Sequence, residues 1–150
     1  MNTYGNTYKG FYQIKNPEKY RGDPLNCIYR SSYEKKFMKY CDGHPSVVWW
    51  SSEELVIKYW NPYKKREARY FPDFVVAIKT RTGEVKTYVI EVKPLSKTLQ
   101  PKKKSRVNRR FVAETVEYEV NKAKWNAAMS FCQENGWIFK IMTEKELNIK

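Results

Sequence analysis

The chain carries a single histidine, His44, and only three cysteines, Cys27, Cys41 and Cys132, none in a C-x-x-C spacing. So few soft ligands argue against a zinc site. One histidine in a turn-like Asp42-Gly43-His44-Pro45 argues against Ser-His-Asp or Cys-His hydrolysis. An odd number of cysteines reads as reduced thiols. Cys41 and Cys132 fall in apolar helical patterns, where a thiol serves as a small buried hydrophobe. No run of about 18 apolar residues exists to span a membrane, and the opening MNTYGNTYKGFYQ lacks the apolar stretch of a signal peptide. These absences predict a protein made and used in a cytoplasm. Acidic residues are also scarce: 16 Asp and Glu stand against 29 Lys and Arg, a net charge of +13. That surplus favours a polyanionic partner, nucleic acid first. No basic amphipathic helix supports the alternative, an anionic membrane.

What the chain does have is aromatic: 12 Tyr, 7 Phe and 5 Trp within a hydrophobic fraction of 41%, enough for one core in a single domain of 150 residues. Residues 1–26 lack periodicity and predict an irregular N-terminal arm, whose Tyr4, Tyr8 and Tyr12 could stack on bases or dock on a protein. A helix is predicted from Ser31 or Ser32 to just before Gly43. Ser31 and Glu34 have the S-x-x-E capping spacing, and Tyr33, Phe37 and Tyr40 form an apolar row that Met38 and Cys41 widen. Residues 47–50 and 55–60 read as strands and 61–65 as a loop. A β-hairpin follows, over 69–80 and 84–92, with its turn at Thr82-Gly83 and its end at Pro94. Residues 101–110 hold six positive charges in ten and read as a loop.

A long helix is predicted over 112–134, with Val112, Val116, Val120, Ala123, Ala127 and Phe131 on one face and Asn135-Gly136 as its stop. Residues 137–142 read as a buried strand. Thr143 and Glu146 have the capping spacing of a short final helix. This order predicts an α/β domain with a central mixed sheet, in which the long helix is a right-handed crossover from the hairpin to the last strand.

Two segments, Phe71-Pro72-Asp73-Phe74 and Ile90-Glu91-Val92-Lys93, put acids inside apolar strands. Burying a carboxylate is costly without compensation, and a divalent cation compensates well. A three-residue hairpin loop, Arg81-Thr82-Gly83, would set Thr80 opposite Glu84 and, carried back along the hairpin, Asp73 opposite Glu91, with Cβ atoms about 5 Å apart. A two-residue turn would send the two acids to opposite faces. Lys93 lies two residues beyond Glu91, on the same face. Such a set suits phosphodiester hydrolysis: metal lowers the pKa of a bound water and stabilises charge on phosphate, and lysine places or deprotonates the water.

Pro72-Asp73 followed by Glu91-Val92-Lys93 resembles the PD-(D/E)XK nuclease signature, whose superfamily includes restriction enzymes, junction resolvases and the TnsA-type transposase nuclease. The resemblance implies a restriction-endonuclease-like core, a central mixed β-sheet flanked by helices. It also implies Asp73, Glu91 and the Val92 carbonyl as ligands of Mg²⁺ or Mn²⁺, Lys93 as the residue serving the water, and a part in catalysis for Glu34, which as a capping residue needs none. A wider match runs through Asn16-Pro17-Glu18-Lys19-Tyr20, Tyr29-Arg30-Ser31-Ser32-Tyr33-Glu34, Arg69-Tyr70-Phe71-Pro72-Asp73-Phe74, Ile90-Glu91-Val92-Lys93-Pro94 and Asn121-Lys122-Ala123-Lys124-Trp125. It resembles the head completion nucleases of T-even-type tailed phages. That likeness implies DNA cleavage leaving a 5′-phosphate, phage head, portal or neck proteins as partners, and a place in the host cytoplasm during assembly or on the virion.

Lys102, Lys103, Lys104, Arg106, Arg109 and Arg110 are expected to contact the DNA backbone rather than merely solubilise a loop. Lys122 and Lys124 read as a solvated helix face that could still reach phosphate. Two rivals stand beside the nuclease reading: a structural DNA-binding connector of the phage head, and a junction-resolving or transposon-type nuclease. No helix resembles a major-groove reader, so base specificity is not expected. Endonuclease against exonuclease action and the oligomeric state are left open.

Overall fold

A computed structural model of the chain describes residues 9–103 and 106–148. In chain order its elements are β1 (Gly10–Phe11), β2 (Ile28–Tyr29), α1 (Ser32–Gly43), β3 (Val47–Ser52), β4 (Ile57–Asn61), β5 (Arg66–Tyr70), β6 (Phe74–Lys79), β7 (Val85–Val92), α2 (Arg109–Asn135) and β8 (Ile138–Met142). Single 3-10 turns at Pro17–Lys19 and Leu95–Thr98 were not legible in the sequence.

The central sheet runs β3-β6-β7-β8, with β8 parallel to β7 and the other pairs antiparallel, so it is mixed as expected and α2 links the parallel pair. The β6–β7 hairpin keeps the expected register. Phe74 faces Ile90 and Lys79 faces Val85. The loop closes through Thr80 N–H to Glu84 O (2.7 Å) and Gly83 N–H to Thr80 O (3.0 Å). Gly83, at φ +88°, supplies the left-handed residue that a three-residue loop needs.

Alternation along these strands splits the core in two. Phe74, Val76, Ile90 and Val92 pack with Trp50 under Phe37, Met38 and Cys41 of α1. Val75 and Val89 turn the other way, to Cys132 of α2. Beside them, Trp125 and Ala128 of α2 pack on Ile57, Tyr59 and Tyr70. All three thiols are free and buried, and burial pushes those of Cys27 and Cys132 up to about 11, which makes them inert packing groups.

Several expectations need correction. The strand predicted over 69–80 is two strands. β5 pairs with β4 in a separate two-stranded ribbon, the chain steps at Phe71-Pro72-Asp73, and only then does β6 enter the sheet. Proline has no N–H to give a ladder, so pairing stops there. The arm, irregular for the most part, lies on the domain. Tyr12 Oη, Lys15 N–H and Asn16 N–H converge on the buried Asp42 carboxylate at 2.8, 2.9 and 2.9 Å, and Tyr20 stacks edge-on against Trp50 at 4.7 Å. Tyr12 therefore docks on this chain; Tyr4 and Tyr8 fall outside the described residues.

Helix α2 starts at Arg109, inside the predicted basic loop, because Asn108 caps it by accepting the Phe111 N–H at 2.8 Å. Its most buried positions are Asn121, Trp125, Ala128 and Cys132, one step round from the predicted aliphatic row. Val112 is exposed because the sheet reaches only the later turns. The predicted buried strand is an edge strand: β8 has Ile138 and Lys140 exposed. At Thr143 the capping contact forms (Oγ1 to Glu146 Oε2, 2.9 Å), but a single turn closed by Leu147 N–H to Thr143 O replaces the predicted final helix. Among the described residues no helix is long and apolar enough to cross a membrane.

Candidate active site

The step at Pro72 builds the site. It ends the ribbon at Tyr70, turns Asp73 into the gap and lets Phe74 rejoin the sheet opposite Ile90. Asp73 Oδ2 accepts the Val92 N–H at 2.7 Å, which pins the carboxylate across the end of β7. Glu91, on β7, is buried. Its Oε1 accepts the Tyr70 hydroxyl at 2.6 Å and its Oε2 lies 3.5 Å from Lys93 Nζ. From α2, Lys124 Nζ sits 5.8 Å from the ring centroids of both Tyr59 and Tyr70, close enough to feel the charges of Lys93, Glu91 and Asp73.

Glu34 closes the opposite side. Buried in the first turn of α1, it accepts the Arg30 N–H at 3.3 Å and the Ser31 hydroxyl at 3.2 Å, while Ser31 Oγ accepts the Glu34 N–H at 3.1 Å. The expected cap thus exists, with Arg30 in place of the Ser31 N–H as backbone donor. The same carboxylate bears on Asp73 electrostatically.

Burial pushes Asp73 well above the usual carboxylate range, and Glu91 and Glu34 add to the push, against the pull of the Val92 N–H and Lys93. By accessible surface Asp73 is only half-buried, so it keeps a path to solvent although protein crowds its carboxyl. Burial likewise raises Glu91, opposed by Lys93 and the Tyr70 hydroxyl, and raises Glu34, opposed by the Arg30 N–H and Ser31. Burial, then Lys93, lowers Lys124. Enclosed acids resisting ionisation are what a bound cation would relieve.

The donors fit a hard divalent ion. Asp73 and Glu91 offer only oxygen, and Asp73 Oδ1 accepts no hydrogen bond among the described residues. Among those residues no three His, Cys, Asp or Glu side chains are grouped to hold a metal by themselves. An ion here would draw on Asp73, Glu91 and the Val92 carbonyl, with water and phosphate completing its shell, as Mg²⁺ prefers.

Of the residues singled out in the sequence, Glu34, Asp73, Glu91 and Lys93 come together and Lys124 joins them. Lys122 does not: it is exposed and lies 5.6 Å over the Tyr118 ring on its own helix. Lys102, Lys103, Arg106, Arg109 and Arg110 are all exposed, with Arg110 paired to Glu114 at 2.8 Å, and Lys104 lies outside the described residues. Sequence reasoning missed Tyr70. Along one unbroken strand it would have faced Pro94, and only the step at Pro72 brings it to Glu91.

Residues 44–144 match the family described as TnsA-like endonuclease N terminal, a span that takes in the whole central sheet, α2 and the Asp73, Glu91 and Lys93 set. The chain is 37% identical over 144 residues, 93% of each chain, to the head completion nuclease of Enterobacteria phage T4. No solved structure matches it.

Proposed function

The chain belongs to the TnsA-like endonuclease family and is a nuclease, and from that premise we propose that it hydrolyses DNA phosphodiesters with Mg²⁺ or Mn²⁺ during phage head completion. The observation that carries this reading is the enclosed pair Asp73 and Glu91, with Lys93 Nζ 3.5 Å from Glu91 Oε2. A divalent cation, when bound, supplies a more acidic water and neutralises charge building on the scissile phosphate. Lys93, beside Glu91, would place the attacking water and help draw off its proton. Tyr70 fixes one oxygen of Glu91 and leaves the other toward Lys93. Lys124 faces the phosphate from α2. Glu34 is a positioning residue, holding the start of α1 and adding negative charge beside Asp73.

The assembly role rests on the T4 relative, a head completion nuclease. On this reading the partners are head, portal or neck proteins, and the protein acts in the host cytoplasm or on the virion. The exposed cations Lys102, Lys103, Arg106, Arg109 and Arg110 contribute affinity for DNA without sequence preference.

Supercoiled and linear plasmid incubated with Mg²⁺, with Mn²⁺ and with EDTA, beside an Asp73→Ala protein, tests the reading. Cutting that needs the metal and vanishes in the variant is expected, and nicked circles show endonuclease action. Firm DNA binding with no cutting by the native protein would instead favour a structural DNA-binding component of the head.

A further inference from the structure

The β4–β5 ribbon has two faces of opposite character. Strand pairing sets Lys58 opposite Arg69, Tyr59 opposite Ala68 and Trp60 opposite Glu67. Ile57, Tyr59, Asn61 and Tyr70 point inward, and all but Asn61 join the core that α2 seals with Trp125 and Ala128. Lys58, Trp60, Glu67 and Arg69 point out, and Trp60 is 60% exposed. Trp60 and Tyr63, three residues apart in sequence and both exposed, stand among charged residues and add nothing to the core.

The charge is one-sided: residues 58–69 hold Lys58, Lys64, Lys65, Arg66 and Arg69 against Glu67 alone. Glu67 pairs with Lys58 at 3.8 Å. Among the described residues Lys64, Lys65 and Arg66 have no acidic partner.

The tip is held in shape. Asn61 Oδ1 accepts the N–H groups of Tyr63 and Lys64, each at 3.0 Å, and Asn61 O accepts the Lys65 N–H at 2.9 Å. Lys65 closes the turn at φ +52°, a left-handed conformation that glycine adopts without strain and lysine does not. A cation kept at a strained corner, on a fixed turn, is a positioned charge.

We propose that this ribbon is a DNA-contacting site distinct from the acidic centre. It grips duplex DNA in the major groove, with Trp60 against the groove wall and the Lys64, Lys65 and Arg66 tip on backbone phosphates. A two-stranded ribbon fits that groove. Its base ends at Tyr70, whose hydroxyl holds Glu91, so the ribbon is joined directly to the acidic centre. The proposal rests on the DNA-nuclease reading, and it places the main grip on the ribbon rather than on the basic stretch before α2.

The test measures binding of the full chain in EDTA to a fluorescent duplex across a salt series, then cutting with Mg²⁺. Lys64→Ala combined with Lys65→Gly removes two cations while relieving the strained corner, so its melting temperature should hold or rise. It should flatten the slope of log affinity against log salt by about 2. Trp60→Ala should weaken binding to the duplex by about fivefold through lost apolar contact, and both losses should fall on KM rather than kcat. Folded variants with native affinity and native salt slope would overturn the proposal, as would losses confined to single-stranded DNA. The two readings fail separately. Ribbon-dependent binding by a native protein that never cuts sinks the nuclease reading alone, whereas metal-dependent cutting with ribbon-independent binding sinks the ribbon alone.

Discussion

Glu91 is buried and Asp73 half-buried with its carboxyl crowded by protein, and burial disfavours the charged form of both. Asp73→Asn should therefore abolish cutting yet leave the metal-free protein as stable as the native one or about 1 kcal/mol more so, measured by urea unfolding in EDTA. Added Mg²⁺ should raise the melting temperature of the native protein and not that of the variant. Lys93→Ala should lower kcat by about two to four orders of magnitude with little change in DNA affinity. For Glu34 the two readings part at Glu34→Gln. A glutamine still caps α1, so stability should fall by less than about 1 kcal/mol while cutting drops, because the charge beside Asp73 has gone. Equal activity in that variant would leave Glu34 a helix cap alone. The hairpin register was legible in the sequence because it follows from loop length, and Gly83 announced the loop. The ladder begins at Phe74 opposite Ile90, so Asp73 reaches the end of β7 from the step before the strand, by way of the Val92 N–H, and not as the strand partner of Glu91. The place of Tyr70 was not legible, because the contact that matters crosses a break in the strand that residue alternation cannot show.

Among the elements, the arm shows how much one buried carboxylate can organise. Burial pushes Asp42 up, but hydrogen bonds from the Lys15 N–H, the Tyr12 hydroxyl and Asn16 outweigh it and hold the group below the usual carboxylate range. A folded-state value below the unfolded one means that this contribution is present above about pH 4 and is lost as pH falls through the folded value. Asp42→Ala should remove that acid sensitivity and cost about 2–4 kcal/mol. Limited proteolysis should then cleave within residues 9–26 well before the rest of the domain. At the far end of α2, Gly136 sits at φ +69° and its N–H bonds back to the helix, as Asn135-Gly136 led one to expect. Gly136→Ala should cost about 1 kcal/mol. The start of the same helix was missed because Asn108, an ordinary polar residue in a basic stretch, becomes a cap only once the helix is known. The rotated face was missed because aliphatic residues alone were counted, and Trp125 and the polar Asn121 carry the contact.

For the molecule as a whole, a net charge of +13 sets both the partner and the conditions. If six to ten phosphates are contacted, raising salt from about 50 to 200 mM should weaken DNA binding by about 10³–10⁵-fold, so cutting assays belong at fixed and stated ionic strength. The mixed sheet, its hairpin and the parallel return through a long helix could be read from the order of patterns. The independence of the β4–β5 ribbon could not, since both of its strands look like ordinary members of the sheet until pairing is known.

Ser52 and Phe74 stand opposite each other on β3 and β6, so everything between them leaves the sheet and comes back at the same rung. Segments whose ends meet in this way are exchangeable parts: they can lengthen, shorten or be replaced while the strands beneath them stay where they are. Here the fixed portion is Ile57 and Tyr59, which pack on α2, and Tyr70 through Asp73, which serve Glu91 and Val92; the outward face and the tip are free of both duties. A lineage built on this plan can change what it holds without rebuilding the machinery that cuts, and a laboratory graft at the exposed tip, residues 62–66, would exploit the same freedom.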